Sequence, residues 1–123
     1  MISGIGIDIV EIDRIRILIK RYGDRFVERV FAPGEISYCR NKKDPPRSFA
    51  ARFAVKEAFV KALGTGMVRG MKFSDVSLEI SERPEIKLNG IARSIAELKG
   101  IASMHTSISH EKDYAIAIVI LEV

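Results

Sequence analysis

The segment Arg52–Leu63, RFAVKEAFVKAL, is apolar on nearly every side when it is wound into a helix. A helix with this pattern is buried in a core or an interface, because no side of it suits water. We predict that it runs from about Arg47 to Leu63, with Gly64 as its C-cap. Before it, the stretch 42–46 is a basic turn whose two prolines are predicted to end the preceding helix. The few charges on such a helix need compensating partners.

The first predicted strand, Gly4–Val10, has two different faces. Isoleucines at positions 5, 7 and 9 share one face, whereas two glycines and Asp8 share the other. Glycine weakens a strand, so a pair of glycines beside an acid indicates that another backbone or a ligand comes close on that face.

The remaining predicted elements are short. Asp13 is the predicted N-cap of a first helix, which places isoleucines 12, 15 and 19 toward the core and ends at Gly23. Further elements are a helix starting at Pro33, strands at 76–80 and 85–88, a helix at 91–98, and a closing hairpin of strands 103–109 and 114–122. The stretch 115–121 has no polar alternation, which predicts that the last strand is covered on both faces.

Length and composition limit the class of protein. With 123 residues, of which 47% are hydrophobic and 29% charged, the chain is expected to form a single globular domain, 1–123. No apolar run is long enough to span a membrane, and the first residues lack the features of a signal peptide, so we expect a cytoplasmic protein. One cysteine and two histidines are too few for a disulfide or a Cys/His zinc site.

Charge is distributed unevenly along the chain. Residues 1–72 hold 15 basic and 8 acidic side chains, whereas residues 73–123 hold 5 and 8. The first part is therefore expected to meet an anionic partner, for which phosphate, nucleic acid and an acidic protein are all candidates. A solvated basic surface explains the same distribution without a partner.

Two carboxylates stand in unusual surroundings. Asp8 lies on the glycine face of the first strand, and Glu57 lies on the otherwise apolar helix. An acid placed in this way is either paired or bound to a metal. Two such acids near cations are a setting for Mg²⁺ that holds a polyphosphate. The residues alone leave this site and two separate salt bridges about equally favoured.

The long helix also carries the cations Arg52, Lys56 and Lys61. Arg52 and Lys56 are four residues apart and repel each other unless an anion lies near, which indicates an anion site. Lys61 is well placed for an intrahelical pair with Glu57, and a cation is favoured in a last helical turn whatever its function.

Two polar segments are candidates for contact with phosphate. Gly64-Thr65-Gly66 follows the helix but is not a Walker motif, so a cap and turn explain it as well. On the strand 103–109, His105 shares a polar face with the serines at 107 and 109. No Gly-x-Ser-x-Gly elbow accompanies them, which favours a phosphate-contacting or hydrogen-bonded histidine over a hydrolase.

Together, several segments resemble the holo-[acyl-carrier-protein] synthases, a family of 4'-phosphopantetheinyl transferases. The resemblance covers most of the chain and rests on five segments in the right order: Gly4–Ile12 with Arg14, Arg29–Phe31 with Glu35 and Tyr38-Cys39, Ala50–Ala58, Lys61–Gly66, and His105–His110 before Tyr114-Ala115. Two positions differ from the usual pattern: no glycine precedes Arg83-Pro84, and Ala32 stands where threonine is common.

The resemblance implies an activity and its residues. Members of this family move 4'-phosphopantetheine from coenzyme A to a serine of apo acyl carrier protein and release adenosine 3',5'-bisphosphate, in fatty acid biosynthesis. The family's Mg²⁺ ligands fall on Asp8 and Glu57, and Lys61 would act with them by contacting the coenzyme A phosphates. Arg52, Gly64-Thr65-Gly66 and His105 would hold the nucleotide end. Glu57 and a water on the metal both remain candidates for the general base.

The resemblance also implies protein partners. An acidic carrier protein gives a purpose to the stripe of Arg14, Leu18, Arg21 and Tyr22 on the first helix, which mixes arginine with apolar side chains as protein interfaces do. A solvated basic face is the alternative. The family is homotrimeric, with active sites between subunits. We therefore expect an α+β fold in which a long helix packs on an antiparallel sheet and three copies assemble.

Two other classes of protein were weighed against an enzyme. A small basic nucleic-acid-binding module accounts for the basic first part, but helix-turn-helix, RNP-type and zinc signals are missing. A non-catalytic assembly domain is the other class. Neither explains Asp8 and Glu57, so we expect an enzyme that acts on coenzyme A and a carrier protein and binds neither nucleic acid nor membranes.

Overall fold

A computed structural model describes every residue of the chain, 1–123. Helices and strands mix along the sequence in an α+β arrangement. In chain order they are β1 (Ile2–Glu11), α1 (Ile12–Tyr22), α2 (Asp24–Val30), α3 (Pro33–Arg40), α4 (Pro45–Leu63), β2 (Val76–Ile80), β3 (Pro84–Leu88), α5 (Gly90–Leu98), β4 (Ser103–His110) and β5 (Tyr114–Glu122). A short 3-10 turn, Phe73–Asp75, precedes β2.

Helix α4 lies at the centre of the core. It packs against β1 and β5 and also contacts α1, α3 and β2. Every residue from Phe49 to Leu63 is buried except Glu57 and Lys61. The predicted burial on all sides is confirmed, and both exceptions are residues predicted for the site. Neither α4 nor any other helix is long and apolar enough to cross a membrane.

The main sheet has three antiparallel strands in the order β1-β5-β4. Near its centre Ala117 of β5 lies opposite Asp8 of β1 on one side and Ile108 of β4 on the other. The hairpin β2-β3 forms a second, two-stranded sheet. The predicted closing hairpin is confirmed, and the first strand of the chain pairs with its last.

The glycine face of β1 lies on α4 at very short range. A Cβ atom on Gly4 would be 1.9 Å from the carbonyl oxygen of Ala62, and one on Gly6 would be 1.9 Å from that of Ala58. Only glycine leaves room for such an approach of two backbones. The prediction that a backbone comes close to this face is confirmed, and that backbone belongs to α4.

The opposite face of the sheet is apolar and open. Ile5, Ile7 and Ile9 are 58%, 60% and 59% exposed, and Ile116 of β5 extends the same face. In β5 the alternate residues that face α4 are buried, whereas the residues between them are not. A single chain therefore does not give the last strand the cover on both faces that its sequence predicts. Exposed apolar surface of this kind is typical of interaction sites.

Two predictions about helix starts are wrong. Glu11, not Asp13, occupies the N-cap position of α1, and Asp13 lies in the first turn, where its Oδ1 is 3.3 Å from Nε of Arg16. Pro45 and Pro46 begin α4 instead of ending the helix before it. Proline suits the first turn of a helix, because the N–H that it lacks has no partner there.

Helix α2 was not predicted from the sequence. Gly23 ends α1 as expected, with a φ of 55°, but the chain resumes a helix at the next residue. Val27 is the one fully buried residue of α2. An apolar repeat this short gives no helical periodicity to detect.

Replacing Gly6 with alanine is expected to lower the free energy of unfolding by about 1–3 kcal/mol, the usual cost of forcing a group into a packed contact. The new methyl group would meet the carbonyl group of Ala58. Urea unfolding followed by circular dichroism measures the change. Gly34→Ala in α3 is the matched control, because nothing lies within 4 Å of a Cβ atom at that position. Equal unfolding midpoints for the two variants would contradict the close contact.

Candidate active site

Asp8 and Lys61 meet where β1 lies on α4. The side chain of Asp8 is 15% exposed, and its Oδ1 accepts a hydrogen bond of 3.0 Å from Nζ of Lys61. The same Nζ donates to the main-chain oxygen of Ile7, also at 3.0 Å. The ion-pair partner of Lys61 is thus on β1 and is not Glu57, the partner that helical spacing allows. The side chain of Lys61 is 54% exposed, so this contact lies at an open edge.

Glu57 lies one helical turn before Lys61 and is half-buried. Its pKa is raised, first by burial and next by the negative charge of Asp8, while the positive charges of Lys61 and Arg14 act to lower it. The two carboxylates therefore lie near enough to repel each other. Burial and the charge of Asp8 both disfavour the ionised form of Glu57, and a bound cation would favour it.

A divalent cation of the Mg²⁺ type fits this pair of acids. No group of three or more His, Cys, Asp or Glu side chains is arranged to hold a metal ion. Mg²⁺ does not require such a group, because it commonly takes one or two carboxylates and completes its coordination with water and substrate phosphates. Two carboxylates beside an amine at an open edge therefore suit Mg²⁺ together with a phosphorylated substrate.

Arg52 lines a separate, basic cavity nearer the start of α4. Its buried guanidinium donates to the hydroxyl and carbonyl oxygens of Ser48, at 3.0 and 3.2 Å, and lies 4.3 Å from the ring centre of Tyr38. Its Nε has no partner. Other basic residues around this cavity of about 830 Å³ are Arg16, Lys42, Lys43, Arg47 and His110. The one acid, Asp44, is already paired with Arg16 at 2.9 Å. A buried free N–H among these cations suits an anion.

His105 lies away from the acid pair. It is opposite Ile120 and therefore faces the open isoleucine side of the sheet, whereas Asp8, opposite Ala117, faces α4. Nε2 of His105 is 2.5 Å from Oε1 of Glu122, and this hydrogen bond is the main cause of a lowered pKa of Glu122. A cavity of about 520 Å³ beside His105 is lined on its other side by β3 and α5, including Arg83, Pro84 and Arg93. One chain thus does not bring His105 to Asp8.

The loop Gly64-Thr65-Gly66 follows Lys61 by less than one helical turn. Gly64 and Gly66 have φ values of 81° and 68°, a conformation that favours glycine. The hydroxyl of Thr65 donates to the carbonyl oxygen of Gly66 at 2.9 Å. The loop is exposed and lies at the same end of α4 as Lys61.

The predicted stripe on α1 is only partly a surface. Arg14, Arg21 and Tyr22 are exposed, whereas Leu18 is half-buried and packs on the core. The guanidinium of Arg14 lies 5.8 Å from the ring centre of Phe53, and its charge reaches Glu57. The stripe therefore begins beside the acid pair, and Leu18 contributes more to the core than to a docking surface.

Sequence reasoning missed one buried contact of α4. Lys56 is fully buried, and its Nζ is 2.6 Å from Oε1 of Glu35 on α3. Burial lowers the pKa of Lys56, and the charge of Glu35 opposes this shift. The anion expected near Arg52 and Lys56 is, for Lys56, a carboxylate of the protein itself. The sequence could have predicted a buried partner for Lys56, because a charge on a buried helix needs one.

Known proteins resemble this chain along its whole length. A family model of the 4'-phosphopantetheinyl transferase superfamily matches residues 4–119. The holo-[acyl-carrier-protein] synthase of Koribacter versatilis is 48% identical over 124 residues, which cover 99% of each chain. Among solved structures, the holo-[acyl-carrier-protein] synthase of Neisseria meningitidis gives a TM-score of 0.90 at 37% identity over 100% of both chains. The Helicobacter pylori enzyme in complex with coenzyme A gives 0.84 at 38% identity, covering 96% of this chain and 99% of that one.

These relatives share the entire fold and not one motif alone, so the likeness extends to every element that positions the acid pair. The chain belongs to the holo-[acyl-carrier-protein] synthase family of the 4'-phosphopantetheinyl transferase superfamily.

Proposed function

We propose that this chain transfers 4'-phosphopantetheine from coenzyme A to a serine of apo acyl carrier protein, with Asp8 and Glu57 as ligands of Mg²⁺. The observation that carries the proposal is the hydrogen bond of Lys61 to Asp8 at an open edge, one helical turn from Glu57. Membership of the family supports the reaction, and the geometry of the site supports the residues proposed for it.

The reaction is a displacement at phosphorus. The serine oxygen attacks the β-phosphate of coenzyme A, the bond from that phosphorus to the bridging oxygen breaks, and adenosine 3',5'-bisphosphate leaves. When bound, Mg²⁺ neutralises charge on the diphosphate. Lys61 holds Asp8 in place through its hydrogen bond and presents a partly exposed amine to the leaving group. The serine proton passes to a base, and Glu57 is the candidate among the chain's own residues.

The nucleotide end of coenzyme A carries its own phosphate. The basic cavity around Arg52 offers a free buried N–H and several cations, which suits that 3'-phosphate. Arg52 and Lys61 are nine residues apart on α4, which places them about 13 Å apart along the axis and half a turn apart around it. The two side chains of one copy therefore lie on opposite sides of the helix, and one coenzyme would meet both kinds of residue only where two copies adjoin. Gly64-Thr65-Gly66 lies at the Lys61 end of the helix.

A second copy of the chain accounts for His105. His105 and Asp8 face opposite sides of the same sheet, so they serve one ligand only if they come from different copies. The open isoleucine face beside His105 is apolar, as association between copies requires. We therefore propose a homotrimer whose active sites lie between subunits, with the Asp8 pair from one subunit and His105 from its neighbour.

An acidic carrier protein is the proposed partner of α1. Arg14 and Arg21 are exposed on one stripe, and Arg14 adjoins Glu57. A carrier docked there places its serine close to the acid pair. Opposite charge on the two surfaces would guide the encounter.

Apo carrier protein incubated with the chain, coenzyme A and Mg²⁺ is expected to gain the mass of one phosphopantetheine group, as measured by mass spectrometry. Asp8→Asn and Glu57→Gln should each lower kcat by about 100-fold or more, as losing a group that stabilises developing charge does. Circular dichroism should stay unchanged. The control Asp113→Asn, in an exposed turn, should keep full activity.

Mg²⁺ binding by the wild-type chain, followed by calorimetry, should weaken as the pH falls through the raised pKa of Glu57, because a protonated carboxyl does not bind the metal. Near-normal turnover in either acid variant would exclude the metal assignment. Strong binding of duplex DNA with no carrier modification would favour a nucleic-acid-binding module instead.

Ile7→Lys is expected to convert the trimer to monomers and abolish transfer, because it places a charge in the centre of the open sheet face. Light scattering during size-exclusion chromatography measures the mass. Leu98→Lys is the matched control: Leu98 on α5 is 87% exposed and lies outside this face. A trimer that survives Ile7→Lys would exclude this face as the subunit interface.

Arg21→Glu is expected to raise KM for the carrier by about five- to tenfold, the effect of losing an interface contact worth roughly 1 kcal/mol. KM for coenzyme A should not change. Lys20→Glu makes the same charge change on the same helix outside the stripe and serves as the control. Equal carrier KM values in both variants would remove α1 from the docking surface.

A further inference from the structure

The ion pair between Glu35 and Lys56 is buried more completely than any other in the chain, with side chains 1% and 0% exposed. The Lys56 ammonium has three N–H groups, and all three are used: it donates to Glu35 Oε1 at 2.6 Å, to the carbonyl oxygen of Phe73 at 3.1 Å and to that of Val76. Glu35 in turn accepts the N–H of Leu78 at 3.0 Å. No donor of the pair is left unsatisfied.

The pair takes the place of a neighbouring strand along the outer edge of β2. Residues two apart in a strand present their N–H and C=O groups to the same side. Val76 and Leu78 are such residues, and Lys56 binds the oxygen of the first while Glu35 binds the nitrogen of the second. Two side chains, from α4 and α3, thus hold the beginning of β2 as a paired strand would.

This contact also determines where the loop 64–72 ends. The loop leaves α4 at its C-cap, Gly64, and reaches Phe73, whose carbonyl group is bound by Lys56 in the middle of the same helix. Its two ends are therefore fixed to one rigid element, roughly 12 Å apart along the helix axis. Inside the loop, Met71 is buried and its N–H donates to the carbonyl oxygen of Val68 at 3.0 Å.

We propose that Glu35 and Lys56 are positioning residues for coenzyme A: by holding Phe73 and the edge of β2, they set the path of the loop that carries Gly64-Thr65-Gly66. The inference rests on the proposed role of that loop in binding the coenzyme. Stability alone does not call for a buried ion pair, because well-packed apolar residues of similar volume commonly stabilise a core as well or better. Directed hydrogen bonds to two main-chain oxygens and one nitrogen are what an apolar pair cannot supply.

The test compares the wild-type enzyme with a double variant and a matched control. Lys56→Met removes the donors but leaves the buried charge of Glu35 without a cation, which threatens folding. The double variant Glu35→Gln with Lys56→Met carries no buried charge and keeps an acceptor for Leu78, while the links to Phe73 and Val76 are lost. Ile36→Val is the matched control, since Ile36 lies on the same helix as Glu35, packs on the core and has no polar side-chain atom.

The double variant is expected to fold and to show a 10- to 100-fold lower kcat/KM for coenzyme A, the order of loss that misplacement of a binding group produces. The loss should appear in KM for coenzyme A, with KM for the carrier unchanged. The Met71 amide should exchange its hydrogen faster. Ile36→Val should lower the melting temperature and leave both KM values as they are.

Three results would overturn the proposal. Met71 exchange unchanged in the double variant would show that the pair does not anchor the loop. An equal loss of activity toward both substrates, with KM for coenzyme A unchanged, would show that the pair serves only folding. Faster exchange with an unchanged KM for coenzyme A would mean that the loop does not hold the coenzyme, which refutes the role on which the inference rests while the acid pair and the transfer reaction stand.

Discussion

The close contact between the glycine face of β1 and α4 determines which side chains meet at the candidate site. Two main chains approach each other so closely that any side chain at Gly4 or Gly6 would strike a helix carbonyl group. The alanines of α4 that face these glycines, Ala58 and Ala62, come directly after Glu57 and Lys61 in the sequence. Packing a bare strand on this side of the helix therefore brings Asp8 to the lysine and the glutamate. If β1 lay farther from α4, Asp8 would not reach Lys61, and each of the three charged groups would be surrounded by water.

Helix α4 carries charged residues in two different settings, and the two residues concerned, Lys56 and Glu57, are adjacent in the sequence. Lys56 lies inside the core, where Glu35 and two main-chain oxygens satisfy it completely. Glu57, rotated by about 100° from it, lies at the edge, where the neighbouring Asp8 repels it. The buried position of Lys56 fixes the neighbouring main chain, because every donor of its ammonium group has a partner. The second setting, that of Glu57, keeps a repulsion between carboxylates that a bound cation would relieve.

The two faces of the main sheet carry different residues of the proposed site. One face is filled by α4 and contains Asp8, while the other is open, rich in isoleucine and contains His105. Strand alternation makes this division unavoidable, because neighbouring residues point to opposite sides. If Asp8 and His105 belong to one site, as we propose, a single chain is incomplete by itself. Association through the open face would complete the proposed site and cover the apolar surface at the same time.

The sequence by itself determined the central helix, the strands and the two acids. All-round apolarity indicated the burial of α4, alternation located the strands, and Asp8 and Glu57 stood out because no solvated surface explained them. Only the tertiary structure decided which charges pair. Lys61 meets Asp8 and not the glutamate one turn away, and Lys56 meets Glu35. Helical spacing limits neighbours within one element, but partners from distant segments depend on how closely the backbones pack. Tertiary structure also decided that the isoleucine face of β1 is the open one, since alternation separates two faces of a strand without stating which of them the core covers.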